Sequence, residues 1–179
     1  PIYIKPVSEP IKSFGAYNVS FSGAKEGKEV TLVFYGNSAN TGYLLSEAEV
    51  ETPYSSIVSD WWTANIGPCS VIKAGIDNLT SITACMRVDH DVISYKPDVV
   101  FLDFAIQDGI QAMSKSNALG YDNLIRRILQ SESAPAIITL MLTGAEQQSY
   151  TMNRMNATKF NSAVKEQKKV AKYYNLPVI

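Results

Sequence analysis

The side chains able to attack a carbon, move a proton or donate to an oxyanion gather in three short polar segments. These are Gly36-Asn-Ser-Ala-Asn-Thr-Gly42, Ala74-Gly-Ile-Asp-Asn-Leu-Thr80 and Ala105-Ile-Gln-Asp-Gly109. Each follows a run of apolar residues. A hydroxyl such as that of Ser38 is a weak nucleophile until a neighbouring base takes its proton. The chain has one histidine, His90, set between Asp89 and Asp91. One histidine and two separated cysteines, Cys69 and Cys85, do not compose a zinc site, so no metal is expected. The 36–42 loop also lacks the Lys-Ser/Thr of a phosphate-binding loop. Asp103 stands inside an apolar run, where an unpartnered charge is costly; it must face a cleft or meet a buried donor.

The elements that position these segments follow from hydrophobic pattern. Glu29–Tyr35, Ser70–Lys73, Asp98–Ala105 and Pro135–Leu142 are apolar, β-branched runs suited to strands covered on both faces. Leu176–Ile179 begins a fifth. Between them, the spacing of Tyr54, Ile57, Val58, Trp61 and Trp62 predicts a helix over 53–62 with Pro53 in its first turn. Thr80–Tyr95 reads as a helix capped by Asn78 or Thr80 and ended by Pro97. Ala118–Gln130 reads as an amphipathic helix whose inner face holds Leu119, Leu124, Ile125, Ile128 and Leu129. Ala157–Tyr174 is a polar helix with Phe160, Val164 and Ala171 facing inward and the Lys165–Lys169 run solvated. Strands alternating with helices give an α/β fold of three αβα layers around a mostly parallel, flavodoxin-like sheet. In such sheets function lies beyond the carboxyl ends of the strands, where all three polar segments fall.

Bulk composition narrows the partners. Sixteen basic against seventeen acidic residues give a net charge of −1, so nothing argues for nucleic acid or an anionic membrane. No apolar run reaches the roughly 20 residues of a membrane span. Residues 1–28 read as an N-terminal arm or small hairpin, and 29–179 as one domain. The two cysteines are expected as buried thiols, and the sequons at Asn18, Asn78 and Asn156 as chance matches. Trp61 and Trp62 are expected in the core rather than as a sugar platform. Gln147, Gln148 and Tyr150, beyond the fourth strand, are further candidates to line the same cleft.

Three blocks in this order resemble the SGNH (GDSL-type) hydrolases. The strand followed by Gly36–Gly42 and a helix is similar to their first block, Ala74-Gly75-Ile76 to their second, and Tyr95-Lys-Pro-Asp through Gln107-Asp108-Gly109 to their third. The resemblance implies ester hydrolysis without a cofactor. Ser38 would be the nucleophile, and the oxyanion would meet the amides of Ser38 and Gly75 and the carboxamide of Gln107. Asn37, Asn40 and Asp108 would be weaker substrate contacts. It further implies a carbohydrate or other acyl-ester ligand, acetyl esters above all, and a secreted or cell-surface bacterial setting.

This chain departs from the family pattern twice. Gln107 stands where the family has Asn, and one added methylene can shift the donor by about 1 Å, enough to cost on the order of 100-fold in rate. The family's Asp-x-x-His block would follow the fifth strand, which begins where the chain reaches Ile179. His90 is no substitute: ten helical residues beyond Thr80 place it about 15 Å along the axis, whereas a base must come within about 3 Å. A structural or surface role is expected for it, with Asp89 and Asp91 as solvated neighbours. Two readings therefore stay open beside a third. The chain is the larger part of an esterase completed by a C-terminal polypeptide carrying His and Asp, or it is an inactive SGNH-like module that binds a carbohydrate or protein. The third is a flavodoxin-like domain of unrelated function.

Overall fold

A computed structural model of the chain describes residues 24–42, 53–111, 114–142 and 157–179. The expected N-terminal arm lies outside these residues except for 24–28, where Ala24 opens a helical turn and is buried. The loop with Gln147, Gln148 and Tyr150, and the sequons at Asn18 and Asn156, also lie outside them.

Four apolar runs form a parallel sheet: β1 (Val30–Gly36), β2 (Cys69–Gly75), β3 (Val99–Asp103) and β4 (Ala136–Leu140), in the order β2-β1-β3-β4. The start of the expected fifth strand is present. Val178 bridges Thr139 in parallel, and Ile179 donates to the Thr139 carbonyl at 2.9 Å. Helices α1 (Tyr54–Asn65), α2 (Ser81–Asp91), α3 (Ala105–Gln111), α4 (Ser114–Leu129) and α5 (Ala157–Tyr173) connect and cover the strands.

Strand alternation sends side chains to two cores. Val33, Tyr35, Val100 and Leu102 pack with Val88, Leu124, Ile125, Ile128 and Ala171 on one face. Leu32, Phe34, Val99 and Phe101 pack with Ala24 and Trp62 on the other. This is the three-layer α/β arrangement expected. Phe34 and Phe101, neighbours across β1 and β3, stack at 4.6 Å, and Tyr54 of α1 meets Phe34 edge-on.

Asp98 joins β3 to β1 at their amino ends, its carboxylate accepting from Thr31 N at 2.9 Å. At the carboxyl ends Gly36 pairs with Asp103. A Cβ on Gly36 would lie 2.9 Å from the Asp103 Cβ, so only glycine allows this approach.

Several expectations are corrected. Trp62 is buried, but Trp61 is 57% exposed, because the helix turns one face of the pair to solvent. Leu119 is exposed as well. The inner face of α4 runs Asn117–Tyr121–Leu124–Ile128, set by Gly120 lying against the Ile82 backbone. The helix from Thr80 ends at Asp91, and 93–95 tightens into a 3-10 turn before Lys96 takes a left-handed φ of 47°. Ala105–Gly109 is not a turn but the first part of helix α3. Cys69 and Cys85 are free thiols, each half-buried rather than buried.

Thr80 caps α2, its Oγ1 accepting from Thr83 N at 3.3 Å. Thr80→Ala is expected to lower stability by about 1 kcal/mol. Urea unfolding should show a lower midpoint at an unchanged m-value.

Candidate active site

The order β2-β1-β3 places β1 between its two sequence successors, so the crossover connections run to opposite sides of it. The crevice at such a switch point is open at the carboxyl ends of β1 and β3. Gly36–Gly42 leaves β1 there. Asn37 caps a 3-10 turn over Ser38–Asn40, its Oδ1 accepting from Ala39 N at 2.7 Å. The Ser38 carbonyl accepts from Thr41 N at 3.1 Å and Thr41 Oγ1 at 3.0 Å, which closes the turn and holds Ser38 half-buried at its head.

The segment after β2 lies alongside. Ile76 N donates to the Gly36 carbonyl at 3.1 Å, and Ser38 Oγ donates to Asp77 Oδ1 at 3.4 Å. Gly75 passes so close beneath the turn that a Cβ would sit 2.5 Å from the Asn37 carbonyl and against Asn40 Oδ1. Asn78, at φ 60°, turns the chain and reaches Gln107 Nε2 at 3.5 Å. A chain of contacts, Ser38–Asp77 and Asn78–Gln107, thus joins the three loops on one rim of the sheet.

Gln107 is 5% exposed and lies in the first helical turn after β3. Asp108 beside it is buried and held from three elements. Its Oδ1 accepts from Ser81 N at 2.9 Å, its Oδ2 from Gln167 Nε2 at 2.7 Å, and its carbonyl from Asn117 Nδ2 at 3.0 Å. Burial raises the Asp108 pKa, and the donors from Ser81 and Gln167 oppose that rise. Asn40 is also fully buried, donating to the Phe34 carbonyl at 3.2 Å. In this geometry Asn40 and Asp108 present no surface to a ligand; Asn37, Ser38 and Gln107 remain at the rim.

Two contributors escape a reading of sequence. Gln167 falls in the Lys165–Lys169 run expected to be solvated, yet it is 1% exposed. The signal was its place in the inward stripe Ala163–Gln167–Ala171–Tyr174. Gln167→Leu leaves the buried Asp108 Oδ2 without its donor and is expected to cost about 1–3 kcal/mol, read as a lower urea midpoint. Asp77 lies two residues past Gly75 in the same loop, and no spacing rule tied it to Ser38.

His90 stands at the carboxyl end of α2, remote from the rim, with its side chain 86% exposed. Its Nδ1 lies 2.8 Å from Asp91 Oδ1. Asp89 pairs with Arg127 at the surface, at 2.8 Å. Asp91 is not solvated as expected but buried, accepting from Arg87 at 2.9 and 3.1 Å and neighbouring the Tyr35 hydroxyl at 3.3 Å. Burial alone would raise its pKa, but the Arg87, His90 and Tyr35 donors outweigh burial and hold it below the usual range.

Solved structures match the larger part of the chain. A two-domain esterase active on acetylated mannans matches 91% of this chain with a TM-score of 0.72 and 25% identity. The fold is that of the SGNH hydrolases. A lipase/acylhydrolase from Enterococcus faecalis shares it at a TM-score of 0.63 and 25% identity, over 84% of this chain and 75% of its own. An acetyl xylan esterase shares it at 0.65 and 17% identity, over 83% and 76%. The SGNH-like chain spans 40% of the mannan-active esterase's length. No family sequence model and no curated protein sequence matches it.

Proposed function

We propose that these residues form the nucleophile and oxyanion half of an ester hydrolase that removes acyl groups, acetyl above all, from carbohydrates. The observation that carries the reading is the joining of Ser38, the Gly75–Asn78 segment and Gln107 on one sheet rim. Ser38 Oγ attacks the acyl carbon and gives its proton to a base. The oxyanion is met by the amides of Ser38 and Gly75 and by Gln107 Nε2, and the sugar hydroxyl leaves as the acyl-enzyme forms. Water then releases the acid. Solved structures of the same fold that act on acetylated mannan and on xylan acetyl esters support the substrate class. Such substrates fit a secreted or cell-surface protein.

The base is not His90, which is exposed at the far end of α2. The proposal places it, with its orienting Asp, on polypeptide following the strand that begins at Val178. The test is hydrolysis of p-nitrophenyl acetate and of acetylated mannan by the chain alone and by the polypeptide extending past Ile179. Turnover confined to the extended form and dependent on Ser38 supports the reading. Turnover that ignores Ser38, or none in either form, removes it. Gln107 in place of Asn favours a second reading, a binding module with no catalysis. Mannan binding without Ser38-dependent turnover would establish that one.

A further inference from the structure

The carboxyl end of β3 holds a charge-bearing group with no hydrogen-bond partner among the described residues. Asp103 is 0% exposed, and neither of its carboxyl oxygens makes a hydrogen bond within the described residues. It points into the core face shared with Phe34 and Phe101, where α1 covers the sheet. Two further buried oxygens without partners lie in the same place, Tyr54 Oη and Asn40 Oδ1. The Tyr54 hydroxyl neighbours both the Asn40 amide and the Asp103 carboxyl, short of hydrogen-bond geometry with either. These unpartnered oxygens thus lie in one buried place, and among the described residues an ionised Asp103 would find one hydroxyl proton there, that of Tyr54. A neutral Asp103 adds a second.

We propose that Asp103 is a neutral carboxylic acid and a positioning residue for the Ser38 loop: its proton goes to Tyr54 Oη, and the Tyr54 proton to Asn40 Oδ1. This directed chain gives every member a partner and leaves no buried charge. It ends on the residue that braces the site. Asn40 Oδ1 lies against Gly75, Asn40 Nδ2 holds the Phe34 carbonyl, and the Asn40 carbonyl accepts from Ser55 Oγ of α1. The Asp103 backbone joins the same loop, its carbonyl accepting from Asn37 N at 3.2 Å. Tyr54 is the titratable group in contact with the carboxyl; Tyr121, on α4 across the sheet, also senses its charge. Burial raises the Asp103 pKa to about 7, so the relay is intact in acid and fails above neutrality.

The role in positioning rests on the esterase reading, but the test involves no turnover, so the two fail separately. Infrared difference spectra of the chain should show a neutral-acid C=O band that persists towards pH 7 and is lost in Asp103→Asn. The backbone amides of Ser38, Asn40 and Gly75 should titrate in NMR spectra with that same midpoint. In Asp103→Asn that titration should vanish. In Tyr54→Phe the carboxyl band should remain while the Asn40 and Gly75 amides cease to follow it. A band lost near the ordinary aspartate value of about 4 overturns the proposal. So do amides that ignore the Asp103 titration, or that follow it unchanged in Tyr54→Phe.

Discussion

Ser38→Ala is expected to lower kcat for ester hydrolysis by roughly 10⁴-fold or more in the polypeptide that carries the base, as nucleophile removal does in serine hydrolases. The reason is chemical: among the described residues no other hydroxyl stands at the head of the turn. Thr41 Oγ1 is bound to the Ser38 carbonyl, and Ser55 Oγ is buried against Asn40. Affinity for acetylated mannan should change little, since the oxyanion donors form their strong contacts only as the tetrahedral intermediate develops. Single-turnover release of p-nitrophenol, measured beside mannan binding, separates the two effects. A loss of less than tenfold would mean that another group attacks. The Asp77 carboxylate, 3.4 Å from Ser38 Oγ, accepts a hydrogen bond from the resting hydroxyl and so holds the oxygen at the rim.

Asp103→Asn is expected to stabilise the protein at pH 8 and to leave it nearly unchanged at pH 4. The folded-state pKa is raised from 3.8 to about 7 by burial. Below the unfolded value the carboxyl is neutral in both states and costs nothing. As pH rises from about 4 towards 7 the unfolded chain ionises while the folded chain holds its proton, so stability falls throughout that window. Above it the loss is complete. At about 1.4 kcal/mol per pKa unit, the penalty is on the order of 4 kcal/mol. Asparagine keeps the shape, donates from its amide as the neutral acid does, and never ionises. Urea unfolding at the two pH values gives the difference directly. Equal stability changes at both would show that Asp103 titrates as an ordinary carboxylate. The penalty falls beneath the Ser38 turn, a setting in which strain is tolerated when the surrounding structure over-determines it.

Much of the architecture was present in one-dimensional pattern. The apolar runs now seen as β1, β3 and β4 read as strands because a parallel sheet covered on both faces demands unbroken apolar sequence. The polar segments at their ends read as site material because strand ends are where backbone and side chains can face a ligand. What sequence could not decide is which side of each helix docks. Trp61 and Trp62 differ by one position, and their burial was set by the angle at which α1 lies on Phe34 and Val99. Gln167 is polar among lysines, but α5 settles with that side chain over Asp108. Asp103 was legible as an anomaly, a carboxylate inside an apolar strand, while its neighbours were not. Tyr54 and Asn40 come from other parts of the chain, and only the packing of α1 across the ends of β1 and β3 brings the three residues to one buried place. Periodicity reports what a residue must avoid, namely water or its lack; which partner it then meets is a property of the assembled layers.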